Sequence, residues 1–125
     1  MERFFFYGTL QRGGFYYHQC NLAQRARYLC DDTVTGALFD CGEYPALVRN
    51  ANGSVHGEVF ELLDPTLLAA IDAVEDYRPD QPKLSEYLRV PATTAGGIAV
   101  WTYVYNRPVT GLRPLSSGRW RPPAR

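Results

Sequence analysis

The sequence predicts an α+β fold in which a small mixed sheet of about six strands curls towards a barrel and is flanked by two helices. Short runs of β-favouring residues recur along the chain, most of them separated by turns of hairpin length, and two longer segments have helical spacing. An apolar fraction of 46% in 125 residues is enough for one core. We therefore expect a single domain over residues 1–125.

The chain begins with an aromatic run, which we assign to a first strand from Arg3 to Tyr7. The run breaks at Gly8, where the backbone can turn without a Cβ clash, and the chain continues as Thr9-Leu10. Successive N–H groups in such a turn can bind an anion, although a plain strand-ending turn explains the same residues.

The remaining strands and the first helix follow from spacing and turn residues. A segment without proline or glycine has Leu22, Ala26 and Leu29 at helical spacing, which predicts a helix near residues 21–28. The Asn52-Gly53 pair indicates a hairpin turn between two strands. The predicted strands after the first are residues 33–39, 44–48, 55–62, 86–92 and 98–105.

The second helix, residues 65–76, contains the most informative acid of the chain. Asp64 can cap its first turn, and its apolar stripe contains Leu67, Leu68, Ile71 and Val74. In projection Glu75 falls within this stripe, Asp72 lies at its margin and Asp76 lies outside. A carboxylate against apolar neighbours has a raised pKa unless a cation or N–H donors keep it ionised, so an ion pair with an arginine is the structural alternative for Glu75.

Charge and composition argue against several classes of partner. The net charge of zero argues against a nucleic-acid-binding protein. Residues 106–125 hold five arginines and no acid, but their four prolines favour an irregular strap or a tail. No apolar stretch approaches the ~20 residues that span a bilayer, and no signal peptide precedes the first strand, so we expect a cytoplasmic protein without a membrane partner.

The cysteines do not form a known metal or redox motif. Cys20, Cys30 and Cys41 are odd in number and about ten residues apart, which is the spacing neither of a zinc site nor of a redox pair. We interpret them as reduced thiols. No metal and no organic cofactor is predicted.

Five segments, in their order along the chain, resemble the γ-glutamylcyclotransferase-like superfamily and its AIG2-like branch. The resemblance extends over nearly the whole chain and depends on the order of the segments more than on any one of them. They are Phe6-Tyr7-Gly8-Thr9-Leu10, Tyr44-Pro45-Ala46-Leu47, Val55-His56-Gly57-Glu58-Val59-Phe60-Glu61-Leu62, Ile71-Asp72-Ala73-Val74-Glu75-Asp76-Tyr77 and Tyr87-Leu88-Arg89-Val90.

The resemblance implies a small barrel with a cavity at one end, in which a γ-glutamyl amide cyclises to 5-oxoproline and releases its amine. It implies that Glu75 is the general acid/base. It further implies that the loop Tyr7, Gly8, Thr9 and Leu10 holds the γ-glutamyl group through main-chain N–H groups. A small γ-glutamyl compound is the partner that the resemblance implies.

Several alternatives stay open from the sequence. The same barrel can serve as a non-catalytic ligand-binding or regulatory module. Tyr87 can place its hydroxyl in the cavity or in the core, and for Arg89 we favour an ion pair with Glu86 or Glu58 over contact with a substrate. Arg119 stands where the family often has an aspartate before Trp120, which puts docking of the tail in question.

The identity of the leaving amine and the oligomeric state also stay open. We expect the cavity mouth to choose the amine. The loop of residues 78–85 and the proline-rich tail are the segments that we expect to form this mouth.

Overall fold

The computed structural model describes residues 2–49 and 52–121. Within these residues the chain forms eight strands, three α-helices and one short 3₁₀ helix. In chain order they are β1 (Arg3–Phe6), α1 (Phe15–Gln19), α2 (Leu22–Arg25), β2 (Ala26–Thr35), β3 (Ala37–Asp40), β4 (Pro45–Val48), β5 (Ser54–Leu62), α3 (Leu67–Val74), the 3₁₀ helix (Pro82–Leu84), β6 (Tyr87–Thr93), β7 (Ala99–Tyr105) and β8 (Arg113–Pro114).

The larger sheet has five strands in the order β2-β5-β1-β7-β6, with β1 in the centre. Strand β1 pairs with β5 antiparallel and with β7 parallel, so the sheet is mixed. A central strand has neighbours on both edges and, in this sheet, packed layers on both faces. An uninterrupted apolar run suits such a strand, which is why the aromatic sequence at the start of the chain correctly predicts it.

The side chains of β1 alternate between two hydrophobic clusters, one on each face of the sheet. Phe4 and Phe6 join a cluster with residues of the helices, including Leu22, Leu67 and Ile71. Phe5 and Tyr7 join the second cluster on the opposite face. The protein is therefore α+β with two cores that share one central strand.

The second cluster is covered by the smaller sheet, whose strand order is β4-β3-β8. Strand β8 belongs to the predicted strap, and Leu115 beyond it donates its N–H to the Leu38 carbonyl at 2.8 Å. Trp120 is 7% exposed and packs in the same cluster. The described part of the tail thus docks on the domain even with Arg119 in place of the family's aspartate.

The helix predicted over residues 65–76 is present but shorter, since α3 runs from Leu67 to Val74. The Asp64 carboxylate accepts the Thr66 N–H at 2.9 Å, as the predicted start requires. The helix ends early because Asp76 has a φ of 51°, a left-handed backbone that stops the helix after Glu75.

The structure corrects the predicted helix near residues 21–28. Only Leu22–Arg25 is helical there, with a separate helix at Phe15–Gln19, and β2 begins at Ala26. Residues after Ala26 pair with β5, and the Tyr28 ring packs on the Phe60 ring at 5.8 Å. Pairing with a neighbouring strand overrides the helical spacing of a short segment.

The predicted hairpin at Asn52-Gly53 is also wrong, because β4 and β5 lie in different sheets. The Gly53 carbonyl instead accepts the Gly36 N–H, next to the point where the predicted strand over residues 33–39 divides into β2 and β3. Most strand neighbours in the larger sheet are not adjacent in sequence, so hairpin-length turns connect few of them.

Two predicted features lie partly outside the described residues: the turn that includes Asn50 and Ala51, and residues 122–125 of the tail. Across the described residues, no helix is long and apolar enough to cross a membrane. The three cysteines are free thiols.

We expect Gly57→Ala to lower the free energy of unfolding by about 2 kcal/mol or more, because the site cannot relax without separating β1 from β5. A Cβ at Gly57 would lie 2.4 Å from the Phe6 carbonyl oxygen and 2.6 Å from the Phe5 ring. Urea unfolding measures the loss. Ser54→Ala, on the exposed start of the same strand, is the control and should change stability by less than about 0.5 kcal/mol. Equal effects of the two substitutions would contradict this packing.

Candidate active site

The predicted site residues line a single cavity of about 460 Å³ at one end of the larger sheet. The end of β1 and the loop after it form one wall, the end of α3 forms another, and residues from β4, β6 and β7 complete it. Its lining residues are Phe5, Phe6, Tyr7, Gly8, Thr9, Leu10, Phe15, Tyr16, Glu43, Tyr44, Pro45, Val74, Glu75, Glu86, Tyr87 and Tyr103.

Glu75 directly follows the last residue of α3 and faces this cavity. Its main-chain N–H donates to the Ile71 carbonyl at 3.0 Å, which continues the helical pattern by one residue and fixes the direction of the side chain. Glu75 is half-buried, because its side chain leaves the apolar stripe of the helix for the cavity and not for open solvent.

The environment of Glu75 favours its protonated form. Burial raises the pKa of its carboxyl from 4.5 to about 8, and the negative charges of Glu86 and Asp72 add to the increase. Among the described residues no arginine or lysine forms an ion pair with Glu75; the arginines near the helix end, Arg78 and Arg89, pair with other acids. Within these residues, Glu75 therefore does not form the ion pair with an arginine that was its structural alternative.

Asp72, one turn earlier on α3, is buried, and each of its carboxylate oxygens accepts a hydrogen bond. Its Oδ1 accepts the Tyr103 hydroxyl at 2.6 Å, and its Oδ2 accepts Nη1 of Arg89 at 2.8 Å. The Arg89 guanidinium also lies over the rings of Tyr77 and Trp101, at 5.3 and 5.2 Å. These contacts fix Asp72 in place near Glu75, and its negative charge is one cause of the raised pKa of Glu75.

One expectation about these groups needs correction. Asp72, which helical projection left at the margin of the apolar stripe, is buried and accepts a hydrogen bond from the Tyr103 hydroxyl of β7. Arg89 does form an ion pair, as expected, but with Asp72 and not with Glu86 or Glu58. Glu58 is 3.2 Å from Nε of Arg12.

The loop after β1 lines the cavity with Gly8, Thr9 and Leu10. Its carbonyls are occupied: that of Gly8 accepts the Gln11 N–H, and that of Thr9 accepts the N–H groups of Tyr16 and Tyr17. For the N–H groups of Gly8, Thr9 and Leu10, the described residues offer no acceptor. Three free donors beside a cavity can bind a carboxylate or an oxyanion.

Gly8 is required by the packing of this loop. A Cβ at Gly8 would lie 2.8 Å from Cδ of Pro45, the first residue of β4. The absence of a side chain lets the loop lie directly against Pro45, which itself lines the cavity. Leu10 is 2% exposed and anchors the other end of the loop in the core.

Tyr7 and Tyr87 are both buried and both line the cavity. The Tyr7 hydroxyl donates to the Tyr103 carbonyl and the Tyr87 hydroxyl donates to the Pro45 carbonyl, each at 2.6 Å. Burial raises the pKa of both phenols, and the charge of Glu75 adds to the increase. They stay neutral and, since their protons are already donated, can offer only oxygen lone pairs to a ligand.

The cavity mouth contains residues that sequence reasoning missed as part of the site. The Tyr44 hydroxyl donates to Oε2 of Glu86 at 2.6 Å and so joins the residue before β4 to the residue before β6. Tyr44 stands in one of the five family-like segments, which is a usable signal. Glu86 and Tyr103 carry no local signal because their position at the cavity depends on sheet pairing.

The segments expected to form the mouth do not line it. In the described part of the chain, neither residues 78–85 nor the tail contributes a lining residue. The loop folds back on itself instead: the Arg78 N–H donates to the Ser85 hydroxyl at 2.8 Å, and Arg107 binds the Ser85 carbonyl at 2.6 Å. Of the described lining residues, Phe15, Glu43 and Tyr44 are the exposed ones and so mark the mouth, with the half-buried Glu86 beside Tyr44.

The family model described as "Gamma-glutamyl cyclotransferase, AIG2-like" matches residues 4–122. The chain is 37% identical to the "Gamma-glutamylcyclotransferase family protein YtfP" of Escherichia coli K12, over 94% of this chain and 95% of that protein. It is 34% identical to the "Gamma-L-glutamyl-butirosin B gamma-glutamyl cyclotransferase" of Niallia circulans, over 86% of this chain and 69% of that protein.

Solved structures agree with this match. The solution structure of YtfP from E. coli superposes with a TM-score of 0.69 at 36% identity, over 94% of this chain and 95% of that one. An AIG2-like protein from Mus musculus superposes with a TM-score of 0.71 at 20% identity, over 100% and 98% of the two chains, and supports the fold alone.

We expect Glu75→Gln to become more stable relative to the wild type as pH rises. With a pKa of about 8 in the folded protein and an ordinary value of 4.5, Glu75 binds a proton in the folded state that the unfolded chain releases between these pH values. The wild type therefore loses stability through this window and the variant does not; allowing for solvent in the cavity, the relative gain is on the order of 2 kcal/mol.

Urea unfolding at about pH 5, 7 and 9 measures this difference. Asp76→Asn is the matched control, since its side chain is 40% exposed and lies beside Arg78. The free energy of unfolding of Asp76→Asn should not rise relative to that of the wild type as pH rises. A pH-independent difference for Glu75→Gln would contradict the raised pKa.

Proposed function

Since the chain belongs to the gamma-glutamyl cyclotransferase, AIG2-like family, we propose that it converts a γ-glutamyl amide to 5-oxoproline and a free amine. One observation carries the proposal: Glu75, a carboxyl without a cationic partner among the described residues, faces the same cavity as the free N–H groups of Gly8, Thr9 and Leu10. We further propose that Glu75 is the general acid/base and that the substrate is a small γ-glutamyl compound of the cytoplasm.

In the reaction the γ-carbonyl carbon exchanges one nitrogen for another, and protons move from the attacking nitrogen to the leaving nitrogen. The α-amino nitrogen of the substrate attacks its own γ-carbonyl carbon, and the bond from that carbon to the leaving nitrogen breaks. The attacking α-ammonium group loses two protons as it becomes the lactam N–H, and Glu75 passes them in turn to the leaving nitrogen. The products are 5-oxoproline and the protonated amine, so atoms and charges balance without a metal, an oxidant or an organic cofactor.

The raised pKa of Glu75 suits this relay. A carboxyl whose pKa is about 8 in the empty cavity is a stronger base, once ionised, than an ordinary glutamate. A bound α-ammonium group would favour the ionised form and so prepare the base as the substrate binds. The negative charge of Asp72 adds to this raised pKa, while its two carboxylate oxygens are held by Arg89 and Tyr103.

The loop after β1 supplies the complementary positive potential. In the proposed pose the N–H groups of Gly8, Thr9 and Leu10 hold the α-carboxylate, and one of them can also stabilise the oxyanion that forms at the γ-carbonyl. Holding both ends of the glutamyl chain converts a flexible molecule into one with its amine near its own carbonyl. Such positioning contributes up to about 7–11 kcal/mol in intramolecular reactions.

We expect Glu75→Gln to lower turnover about a hundredfold or more, because the amide cannot accept and return the proton. The measurement is release of 5-oxoproline from a panel of γ-glutamyl dipeptides, γ-glutamyl-ε-lysine and glutathione. Asp76→Asn is the control, since this neighbouring acid lies outside the cavity, and it should keep turnover within about threefold of the wild type.

Turnover by Glu75→Gln at the wild-type rate would contradict the role of Glu75 as the general acid/base. If the compounds stabilise the wild type against heat but release no 5-oxoproline, the non-catalytic ligand-binding module is the correct alternative.

We expect Gly8→Ala to weaken substrate binding, with about a tenfold or larger rise in KM. The added methyl group would push the loop away from Cδ of Pro45, which lies 2.8 Å from its position, and turn the N–H groups from the α-carboxylate. Steady-state kinetics on the best compound of the panel measure it, with circular dichroism to confirm that the variant folds. An unchanged KM in a folded variant is the outcome that would exclude this role of the loop.

A further inference from the structure

A buried hydrogen-bond network connects α3, which Glu75 directly follows, to the start of the loop after β1. The Tyr103 hydroxyl of β7 donates to Oδ1 of Asp72 in α3 at 2.6 Å. The main-chain carbonyl of Tyr103 accepts the Tyr7 hydroxyl, also at 2.6 Å. Tyr7 stands between β1 and Gly8, so one residue of β7 is bonded both to the helix and to the loop that form the cavity walls.

This Tyr7–Tyr103–Asp72 network is rigid. Tyr103 is 1% exposed, and its ring stacks on the Phe4 ring of β1 at 6.1 Å. Asp72 is held from its other side by Nη1 of Arg89, which donates to Oδ2 at 2.8 Å. Among the described residues, no buried side-chain nitrogen or oxygen lacks a hydrogen-bond partner. Removal of one member would therefore leave a buried polar group unsatisfied.

The position of Glu75 depends on the end of α3, because no cationic side chain among the described residues pairs with its carboxyl. Its N–H continues the helix by one hydrogen bond to the Ile71 carbonyl, and Asp76 then turns the backbone with a φ of 51°. Asp72 lies three residues before Glu75, on the preceding turn. The contacts that hold Asp72 therefore also set the direction from which Glu75 enters the cavity.

The titratable groups around Glu75 come from α3, β1, β7 and the segments before α2 and β6. The charges of Glu86 and Asp72 add to the effect of burial on the pKa of Glu75. Arg89 contacts this set at Asp72. Asp72 thus acts on Glu75 both through its charge and through its bond to Tyr103. The groups whose own pKa is raised by the charge of Glu75 are Cys20, Tyr7, Tyr87 and Tyr103, and Glu43 also lines the cavity.

We propose that Asp72 is a positioning residue, whose bond to Tyr103 holds Glu75 at the distance from the loop after β1 at which it can reach the amino group of a bound substrate. Its charge disfavours ionisation of Glu75 until that ammonium group arrives. This inference rests on the proposed function. Asp72 is not among the described lining residues, so its effect on turnover is exerted through Glu75.

Tyr103→Phe tests the bond to Asp72. It removes the hydroxyl but keeps the ring and the carbonyl that accepts the Tyr7 hydroxyl, so the loop stays anchored. We expect kcat on the best γ-glutamyl compound of the panel to fall about tenfold or more and KM to stay within about threefold. Tyr105→Phe is the control and should leave kcat unchanged, since it removes a hydroxyl of the same strand that is bonded to Cys41 instead.

A double-mutant cycle with Glu75→Gln separates positioning from a general loss of structure. If the Tyr103 hydroxyl acts through Glu75, Tyr103→Phe should change kcat less than about twofold when Glu75→Gln is already present. Circular dichroism confirms that each variant folds. An equal loss of kcat in both backgrounds would overturn the proposal, and so would an unchanged kcat in Tyr103→Phe alone.

Asp72→Asn tests the charge. The amide oxygen can still accept the Tyr103 hydroxyl, but the negative charge is gone, so ionisation of Glu75 becomes easier. The rise of kcat/KM with pH, which reports the base of the free enzyme, should therefore move about half a pH unit or more to lower pH. A loss of packing alone would not move this rise, and an unmoved rise in the folded variant overturns the role of the charge. If Asp72→Asn does not fold, the cycle with Tyr103→Phe decides the proposal.

A last measurement keeps this proposal separate from the cyclotransferase function. If the wild type releases no 5-oxoproline from the panel, that function fails for these compounds, and urea unfolding then tests the positioning. The gain in stability that Glu75→Gln shows between pH 5 and pH 9 should be smaller when Tyr103→Phe is also present, because a displaced carboxyl is better solvated. An equal gain in both backgrounds would show that the network does not position Glu75.

Discussion

The burial of β1 between two strands and two hydrophobic clusters is the constraint on which the rest of the molecule depends. Its backbone groups pair with β5 and β7, and the Thr102 hydroxyl donates to the Phe5 carbonyl at 3.1 Å. A strand held on every side cannot shift its register without exposing aromatic side chains and unpaired amides. The loop that follows β1 therefore leaves the sheet at a fixed point, and the cavity is built around that point.

The same strand also positions the acid. Phe4 and Phe6 form the surface on which Leu67 and Ile71 of α3 pack, so the end of this helix lies over the end of β1. Glu75 follows the last helical residue and thereby reaches the cavity that the loop enters. Two segments about 65 residues apart in sequence meet because the loop continues β1 and α3 belongs to the hydrophobic cluster on one face of the same strand.

Asp72 in α3 and Glu75 directly after it are two acids whose burial has different consequences. Asp72 has a cation and a hydroxyl as partners, and a paired buried carboxylate of this kind is costly to disrupt but close to neutral in net stability. Glu75 has no cationic partner among the described residues, so its burial raises the pKa of its carboxyl. An unpaired acid costs stability at high pH, and a cost of this kind is typical of functional positions.

Local sequence signals predicted those parts of the fold that local rules determine. The aromatic run identifies β1, Asp64 marks the start of α3, and helical projection separates Glu75 from its acidic neighbours. The segment after Leu22 was misassigned because helical and strand patterns coincide over a few residues, and pairing with β5 decided the outcome. The partner of Arg89 could not be predicted either, because α3 and β6 meet only in the folded sheet.

The cavity as a whole also could not be predicted from local sequence rules, because its lining residues come from segments far apart in the sequence. Its chemistry, as proposed, belongs to the loop after β1 and the end of α3, which the two hydrophobic clusters hold rigid. Its mouth belongs to Tyr44 and Glu86, which meet through one hydrogen bond at the surface. The two parts are coupled, because the charge of Glu86 contributes to the raised pKa of Glu75. A substitution of Glu86 therefore changes both the electrostatic potential at the mouth and the acid proposed for the cyclisation.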